Sequence, residues 1–153
     1  MQSITPFLWF NDEAEEAMKF YTSIFKKSKV GKTIRYGGGS KGKVMSVTFS
    51  LLGQKFMALN GGPHFKFTEA VSLFVSCDTQ KEVDTYWNKL SRGGEKSRCG
   101  WLKDKYGLSW QVFPEVMMKM LTDPDRNKVK RVMDAFMKMQ KFDVAEIERA
   151  YAA

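Results

Sequence analysis

The first half of the chain alternates between apolar and polar residues in a pattern that predicts one strand, one helix and then more strands. Residues 4–10 are rich in aromatic and β-branched side chains and predict a strand. Pro6 places that strand at a sheet edge or at a strand start. Asp12 and Glu15 have the spacing of a capping box for the helix that follows. That helix carries apolar residues at helical spacing: Ala14, Ala17, Met18, Tyr21, Ile24 and Phe25.

Three more strands are predicted before residue 62, at Val30–Tyr36, Val44–Leu52 and Phe56–Asn60. The second alternates most clearly, because its apolar residues are separated by serine and threonine. Glycines at 37–39, at 53 and at 61–62 mark the turns and loops between and after these strands.

The pattern then restarts. A strand at Ala70–Cys77 is followed by Thr79 and Glu82, a second capping box. The next apolar stripe repeats the first helix at a constant offset of 69 residues, since positions 14, 17, 18 and 21 become Val83, Tyr86, Trp87 and Leu90. Strands follow at about 95–102 and 108–113, with a turn at 104–107 between them. The order of elements indicates a duplicated module.

The last forty or so residues carry helical spacing only. A short helix is predicted at Glu115–Leu121, and Asp123 is placed to cap the next one. The stripe of that helix is rich in methionine: Val129, Val132, Met133, Phe136, Met137 and Met139. Such a stripe is more typical of core or dimer packing than of a ligand site. A last helix is predicted around Val144, Ile147 and Tyr151.

The whole pattern predicts a single α+β domain over 1–153, with module one at about 1–62, module two at about 69–114 and a helical tail at about 115–153. Twelve Phe, five Tyr and four Trp argue against disorder. No stretch approaches the ~20 apolar residues of a membrane span, and the N-terminus does not resemble a secretory signal. Two cysteines without a metal or redox spacing favour a reduced, cytoplasmic protein.

The net charge of +8 is unevenly distributed, because no Asp or Glu occurs between Ala17 and Thr68. A region of one sign attracts anions, although a solvated basic surface is the ordinary interpretation. No RNA- or DNA-binding motif accompanies the lysines, so a nucleic-acid partner is not expected. The basic residues in this stretch are Lys19, Lys26, Lys27, Lys29, Lys32, Arg35, Lys41, Lys43, Lys55 and Lys66.

Five segments together resemble a known family. They are residues 4–10 (Ile-Thr-Pro-Phe-Leu-Trp-Phe), 14–21 (Ala-Glu-Glu-Ala-Met-Lys-Phe-Tyr), 56–63 (Phe-Met-Ala-Leu-Asn-Gly-Gly-Pro), 83–90 (Val-Asp-Thr-Tyr-Trp-Asn-Lys-Leu) and 99–114. The chain resembles the PhnB-like branch of the vicinal-oxygen-chelate superfamily, with glyoxalase I, bleomycin-resistance proteins and extradiol dioxygenases as more distant members. The likeness extends over almost the whole chain, including the Asp-Pro-Asp of the tail. It implies paired βαβββ modules that form a cupped mixed sheet around a cavity.

Metal-using relatives in that superfamily place His, Gln or Glu on four strands inside the cup. The matching positions here are about Thr5, Ala58, Ser72 and Gln111, of which only Gln111 offers a plausible ligand. A transition metal needs three or four N, O or S ligands, so neither a metal nor another cofactor is expected. Branch members often carry a 3-demethylubiquinone 3-methyltransferase label. The chain lacks a glycine-rich nucleotide loop between a strand and a helix, so S-adenosylmethionine is not expected either.

If Thr5 and Gln111 point into the cup, strand alternation turns a set of aromatic and polar side chains inward. Ligand contacts are then expected from Thr5, Phe7, Trp9, Phe56, Asn60, Ser72 and Gln111. The remaining inward positions are Ser46, Thr48, Ser50, Phe74, Ser76, Ser109 and Phe113. Rings mixed with hydroxyls and amides are typical of a binding pocket. A half-buried sheet face with partly satisfied polar groups is the alternative.

Catalytic candidates are few. His64, the only histidine, invites a general-base role, but a lone loop histidine is more often a surface residue. Cys99 lies near Lys96, Arg98 and Lys103, which would favour a thiolate, although an inert thiol is the more common case. Cys77 is expected on the core face and inert.

The residues and the resemblance together therefore predict a metal-free protein that binds or sequesters a small anionic or aromatic molecule, as bleomycin-resistance relatives do. The alternative is an enzyme on a small aromatic or anionic metabolite that uses the same cavity. A homodimer is expected, since superfamily members usually pair their sheets within or across a dimer and the methionine-rich tail adds apolar surface.

Overall fold

The computed structural model describes residues 1–153, which divide into two compact units, Met1–Phe67 and Thr68–Ala153. The first unit contains β1 (Phe7–Phe10), α1 (Ala14–Ile24), β2 (Ser28–Arg35), β3 (Val44–Leu51) and β4 (Gln54–Asn60). The second contains β5 (Ser72–Cys77), α2 (Gln80–Leu90), β6 (Glu95–Lys96), β7 (Trp101–Lys103) and β8 (Ser109–Pro114). It continues with three helices, α3 (Glu115–Leu121), α4 (Arg126–Phe136) and α5 (Val144–Ala152).

The two units have the same sheet topology. The strand orders are β1-β4-β3-β2 and β5-β8-β7-β6. In each sheet the strand before the helix runs parallel to the last strand, and the other pairs are antiparallel. The duplicated βαβββ pattern and the α+β class predicted from the sequence are confirmed.

One face of each sheet is packed against the helix of its unit. Tyr21 of α1 lies 6.2 Å, ring centre to ring centre, from Phe49 of β3. On the second sheet Val75, Trp110 and Val112 are buried, and α2 packs against β5 and β8. Burial of each such side chain stabilises the fold by roughly 1.5–3 kcal/mol. The helix-facing residues of the first sheet are Leu8, Phe10, Val47, Phe49, Leu51, Phe56 and Ala58.

The two predicted capping boxes have different outcomes. At α2 the Thr79 side chain accepts a hydrogen bond from the Glu82 amide. At α1 the prediction is wrong, because the N-cap residue is Glu13 and no side chain of the segment caps it. The Ala14 amide instead donates to Oδ1 of Asn60, at 2.8 Å. A side chain from β4 therefore caps α1 across 46 residues of sequence.

The turn between β7 and β8 is built around a buried carboxylate. Asp104 is 2% exposed, and it accepts hydrogen bonds from the amides of Tyr106 (2.9 Å) and Leu108 (3.1 Å) and from the indole N–H of Trp110 (2.9 Å). The turn predicted at 104–107 is confirmed, since the Gly107 amide also donates to the Asp104 carbonyl.

The strand predicted at 95–102 is wrong, because residues 97–100 turn the chain between the antiparallel strands β6 and β7. The Trp101 amide donates to the Arg98 carbonyl within this turn, and the amides of Cys99 and Gly100 donate to the carbonyls of Met139 and Gln140 in the tail. The Gln80 side chain holds the same stretch, because it donates to the Phe142 carbonyl and accepts from the Val144 amide.

The three predicted tail helices are present, but the predicted cap of α4 is wrong. Asp125, and not Asp123, accepts hydrogen bonds from the first amides of α4. Asp123 instead accepts from the Tyr151 hydroxyl. The tail core includes Met117, Val132, Phe142 and Ile147, whereas Met133 and Met137 are exposed. None of the helices combines the length and the apolar character needed to cross a membrane.

Candidate functional site

The face of the first sheet opposite α1 carries three rows of side chains across neighbouring strands. Residues paired in register share a face. One row is Lys29–Ser50–Lys55 and the next is Thr48–Met57–Phe7. The third contains Ile34, Ser46, Leu59 and Trp9. We call this surface the open face of the first unit.

A cavity of about 500 Å³ lies over the first two rows. Lys29, Lys32 and Lys55 contribute three ammonium groups, none of which forms an ion pair in the structure. No carboxylate lines the cavity. Hydroxyl groups come from Thr5, Thr48 and Ser50, and Met57 supplies apolar surface on the open face. Val30, Phe49 and Phe56 also border the cavity, but their row belongs to the helix-facing side of the sheet. The arrangement suits a ligand with an anionic group and an apolar part.

Two lysines flank Ser50 in the first row. Lys29 and Lys55 are its partners on either side, so their backbones are about 9–10 Å apart across β3. Both side chains are exposed, and they can bend toward the hydroxyl between them. The Thr48 hydroxyl is already engaged, since it accepts from the Lys32 amide at 2.8 Å.

The expected orientation of Phe56, Asn60 and Ala58 toward the cup is wrong. Phe56 is 5% exposed, points toward α1 and stacks on Phe49 with ring centres 5.3 Å apart. Ala58 is fully buried, and Asn60 caps α1. Every second residue of a strand lies on the same face. Met57 and Leu59 therefore take the open-face positions.

The expected orientation of Thr5, Phe7 and Trp9 agrees with the structure, but a ligand contact at these residues stays a prediction and Trp9 has a mainly local role. Thr5 lines the cavity, and Phe7 is 53% exposed beside Met57. The Trp9 indole N–H donates to the Gly62 carbonyl at 2.9 Å. Its ring also lies edge-on to Phe65, at 5.0 Å between ring centres. Trp9 thus fixes the loop after β4.

The corresponding face of the second sheet holds Ser72 and Gln111. The Gln111 amide donates to the Ser72 hydroxyl at 2.9 Å. Strand pairing places them on one face with the other predicted residues Phe74, Ser76, Ser109 and Phe113. Phe74 remains half exposed, whereas Phe113 also lies 5.3 Å from the tail residue Phe142, ring centre to ring centre. A ligand contact at these positions stays a prediction.

The residues at the superfamily's metal positions do not fit a transition metal. Thr5 offers a hydroxyl, Ala58 and its neighbours in β4 offer no nitrogen or carboxylate, and Ser72 and Gln111 are bonded to each other. No group of three or more His, Cys, Asp or Glu side chains converges anywhere in the chain. Structural and catalytic metal sites are commonly built from such groups.

The isolated catalytic candidates have no catalytic partners. His64 is exposed in the loop after β4. Cys99 is half-buried, and its Sγ lies 3.8 Å from the Phe136 carbonyl and 3.9 Å from Met137 Sδ. Cys77 is buried as expected, and burial raises the pKa of its thiol to about 12.

The cavity-lining residues that the ligand prediction missed include Lys29, Lys55 and Met57 of the open face, and Lys32 of β2. The acid-free stretch from Ala17 to Thr68 was the available signal for the lysines. It could not show which of ten basic residues share a face, because that depends on the pairing of β2, β3 and β4.

Comparison with known proteins places this geometry in a family. Residues 2–113 match the family model described as 3-demethylubiquinone-9 3-methyltransferase. A Bacillus cereus structure with the same description, named PhnB protein, is 43% identical, with a TM-score of 0.67. The match covers 74% of this chain and 99% of that one. The tail after Phe113 lies outside the family match, so the expectation that the likeness includes the tail is wrong.

More distant structures share the fold alone. A Pseudomonas aeruginosa protein is 20% identical with a TM-score of 0.63, over 75% of this chain and 98% of that one. FosX, a fosfomycin resistance protein of Listeria monocytogenes, is 14% identical with a TM-score of 0.54, over 74% of this chain and 93% of that one. No curated protein sequence matches. The chain belongs to the PhnB-like 3-demethylubiquinone-9 3-methyltransferase family, which has the glyoxalase/bleomycin-resistance fold.

Proposed function

We propose that the chain binds a small anionic molecule with an apolar part on the open face of its first unit, without a metal ion. The observation that carries this proposal is the row in which Lys29 and Lys55 flank Ser50 at the edge of a cavity of about 500 Å³. Pockets of roughly 300–1,000 Å³ are typical of small-molecule sites.

The charge distribution of the first unit supports an anion. Acidic residues of this unit lie at the start of α1 or just before it, on the other side of the sheet. Glu15 there pairs with Lys19 and Arg35, and the Lys19 bond is the main cause of the lowered pKa of its carboxyl group. The lysines of the open face have no such partners, so their field acts on solutes.

The apolar part of the ligand would lie over the second row. Met57 and Phe7 are neighbours in register and both are partly exposed. A flat ring placed there would gain about 25 cal/mol of free energy for each Å² of apolar surface that it removes from water. The lysines would hold the anionic group at the adjacent row.

The proposal is one of binding and does not include methyl transfer from S-adenosylmethionine. Nucleotide-type cofactors in α/β folds commonly bind where a glycine-rich turn joins a strand to a helix. Here the three strand–helix connections are residues 11–13, residues 78–79 and the direct step from Pro114 to Glu115, and none contains glycine.

A thermal-shift experiment with matched probes tests the proposal. Phenyl phosphate and benzoate carry a ring and an anion, and benzyl alcohol carries the ring without the charge. At a concentration about 100 times its Kd, a ligand should raise the Tm by about 5–10 °C. We expect a shift with the anionic probes and none with the alcohol.

The variant Lys29→Gln/Lys55→Gln should lose most of the shift. Lys26→Gln/Lys66→Gln is the matched control, because it removes the same charge from lysines of the same unit that do not line the cavity. Equal shifts for the two double variants would show that general surface charge, and not this row, attracts the probe.

A further inference from the structure

The second unit has a cavity of its own. It measures about 400 Å³ and lies against β6, β7 and the start of β8. Its lining contains two carboxylates, two ammonium groups, an indole ring and buried and exposed hydroxyls. The principal lining residues are Glu69, Glu95, Lys96, Trp101, Lys103 and Ser109.

Ser109 is the unusual member of this lining. It is 1% exposed, and its hydroxyl is the one buried side-chain oxygen or nitrogen in the chain without a hydrogen-bond partner. A buried hydroxyl without a partner destabilises the folded state. Ser109 is paired in register with Lys103 on one side and Ser72 on the other. A ligand in the cavity can supply the missing bond.

The charges of the lining balance. Lys103 forms an ion pair with Glu69, and this bond raises the pKa of the lysine and lowers the pKa of the carboxyl group. Glu95 faces Lys103 in register, and Lys96 follows it. Two negative and two positive groups thus surround one space, in contrast to the three unpaired lysines of the first unit.

This balance restricts the class of ligand. An anion or a cation would meet a charge of its own sign, and a neutral ligand would displace water from four charges without replacing its interactions. A zwitterion satisfies both signs. The Trp101 indole adds a surface for an ammonium group or for an apolar side chain.

We propose that the cavity of the second unit binds a free zwitterionic α-amino acid. Its ammonium group contacts Glu95 and Glu69, and its carboxylate contacts Lys96 and Lys103. The Ser109 hydroxyl forms its missing hydrogen bond with the amino acid. All the lining residues of this site belong to the second unit.

The loop that forms one wall is held in place before any ligand arrives. Ser97 lines the cavity, and Cys99 and Gly100 in the same loop are bonded to the tail carbonyls of Met139 and Gln140. Preorganisation of this kind lowers the entropic cost of binding. The bonds come from the tail, which lies outside the family match.

Isothermal titration calorimetry on the full chain tests the proposal with L-alanine, L-leucine and L-phenylalanine, which differ in side-chain size. We expect at least one to bind. N-acetylation of that amino acid removes the ammonium charge and amidation removes the carboxylate, and each change should weaken binding about tenfold or more. No binding at millimolar concentration, or equal binding of the blocked forms, would overturn the proposal. Binding of D-glucose in place of the amino acids would also overturn it, since it would indicate a neutral polyol site.

The variant Ser109→Ala separates a ligand contact from a structural role. It should weaken binding of the amino acid about tenfold while leaving the Tm unchanged or higher, because it removes a buried hydroxyl without a partner. Ser91→Ala is the control, since Ser91 is buried in the same unit and does not line the cavity. Unchanged affinity in Ser109→Ala would contradict the proposal.

The variant Lys29→Gln/Lys55→Gln should bind the amino acid as the wild type does. In the wild-type chain, absence of phenyl phosphate binding alone would therefore count against the anion site, and absence of amino-acid binding alone would count against this second site.

Discussion

Replacement of Asp104 by alanine should destabilise the chain more than any surface substitution. The change removes the acceptor of the Tyr106 and Leu108 amides and of the Trp110 indole N–H. A buried donor left without a partner costs about 1–3 kcal/mol. Tyr106 is half-buried and water can reach its amide, so this donor should cost less than the other two. We therefore expect the free energy of unfolding to fall by about 3–5 kcal/mol in total, against a typical stability of about 5–15 kcal/mol.

Urea unfolding followed by tryptophan fluorescence measures this loss as a lower midpoint with an unchanged slope. Asp104→Asn should lower the free energy of unfolding by less, about 1–2 kcal/mol, because an amide oxygen can still accept from the backbone amides. Asp134→Ala is the control, since Asp134 forms only an exposed pair with Lys130 and should cost less than about 1 kcal/mol. A loss below about 1 kcal/mol in Asp104→Ala would refute the assignment of the turn to its carboxylate.

Three further predictions use other parts of the chain. Iodoacetamide should alkylate Cys99 and leave Cys77 unmodified in the folded protein, as read by peptide mass spectrometry, because Cys77 is 1% exposed with a pKa of about 12; equal labelling would contradict the burial of Cys77. Asn60→Ala should lower the free energy of unfolding by about 1 kcal/mol through loss of the α1 cap, and an unchanged urea midpoint would argue against that cap. We expect a homodimer by light scattering at micromolar concentration, with Met133 and Met137 adding exposed apolar surface; a monomeric mass would refute it.

The fold could be predicted from the sequence where the signal was local. Serine and threonine alternate with apolar residues in β3, and its two faces follow directly. In β4 the residues Phe56, Met57, Ala58 and Leu59 are all apolar, so no alternation fixes the faces. The register is set by pairing with β1 and β3, and a slip of one residue exchanges the faces.

Features that depend on distant residues could not be predicted. Asn60 caps α1 only because β4 ends beside the start of the helix. The turn at 97–100 is bonded to Met139 and Gln140 of the tail, which follow it by about forty residues. The lysines of the open face appeared in the sequence as a general excess of charge, and only the pairing of Lys29 and Lys55 with Ser50 selects two of them.

An anionic ligand should bind at the Lys29–Ser50–Lys55 row of the first unit. Titration of isotopically labelled protein with phenyl phosphate, followed by amide chemical shifts in NMR, tests it most directly. Binding at this row should give saturable shifts concentrated in residues 29–32, 48–50 and 55–57, which line the cavity of the first unit. These shifts should shrink as salt is added. Shifts centred on another part of the chain, or none at millimolar probe, would contradict it.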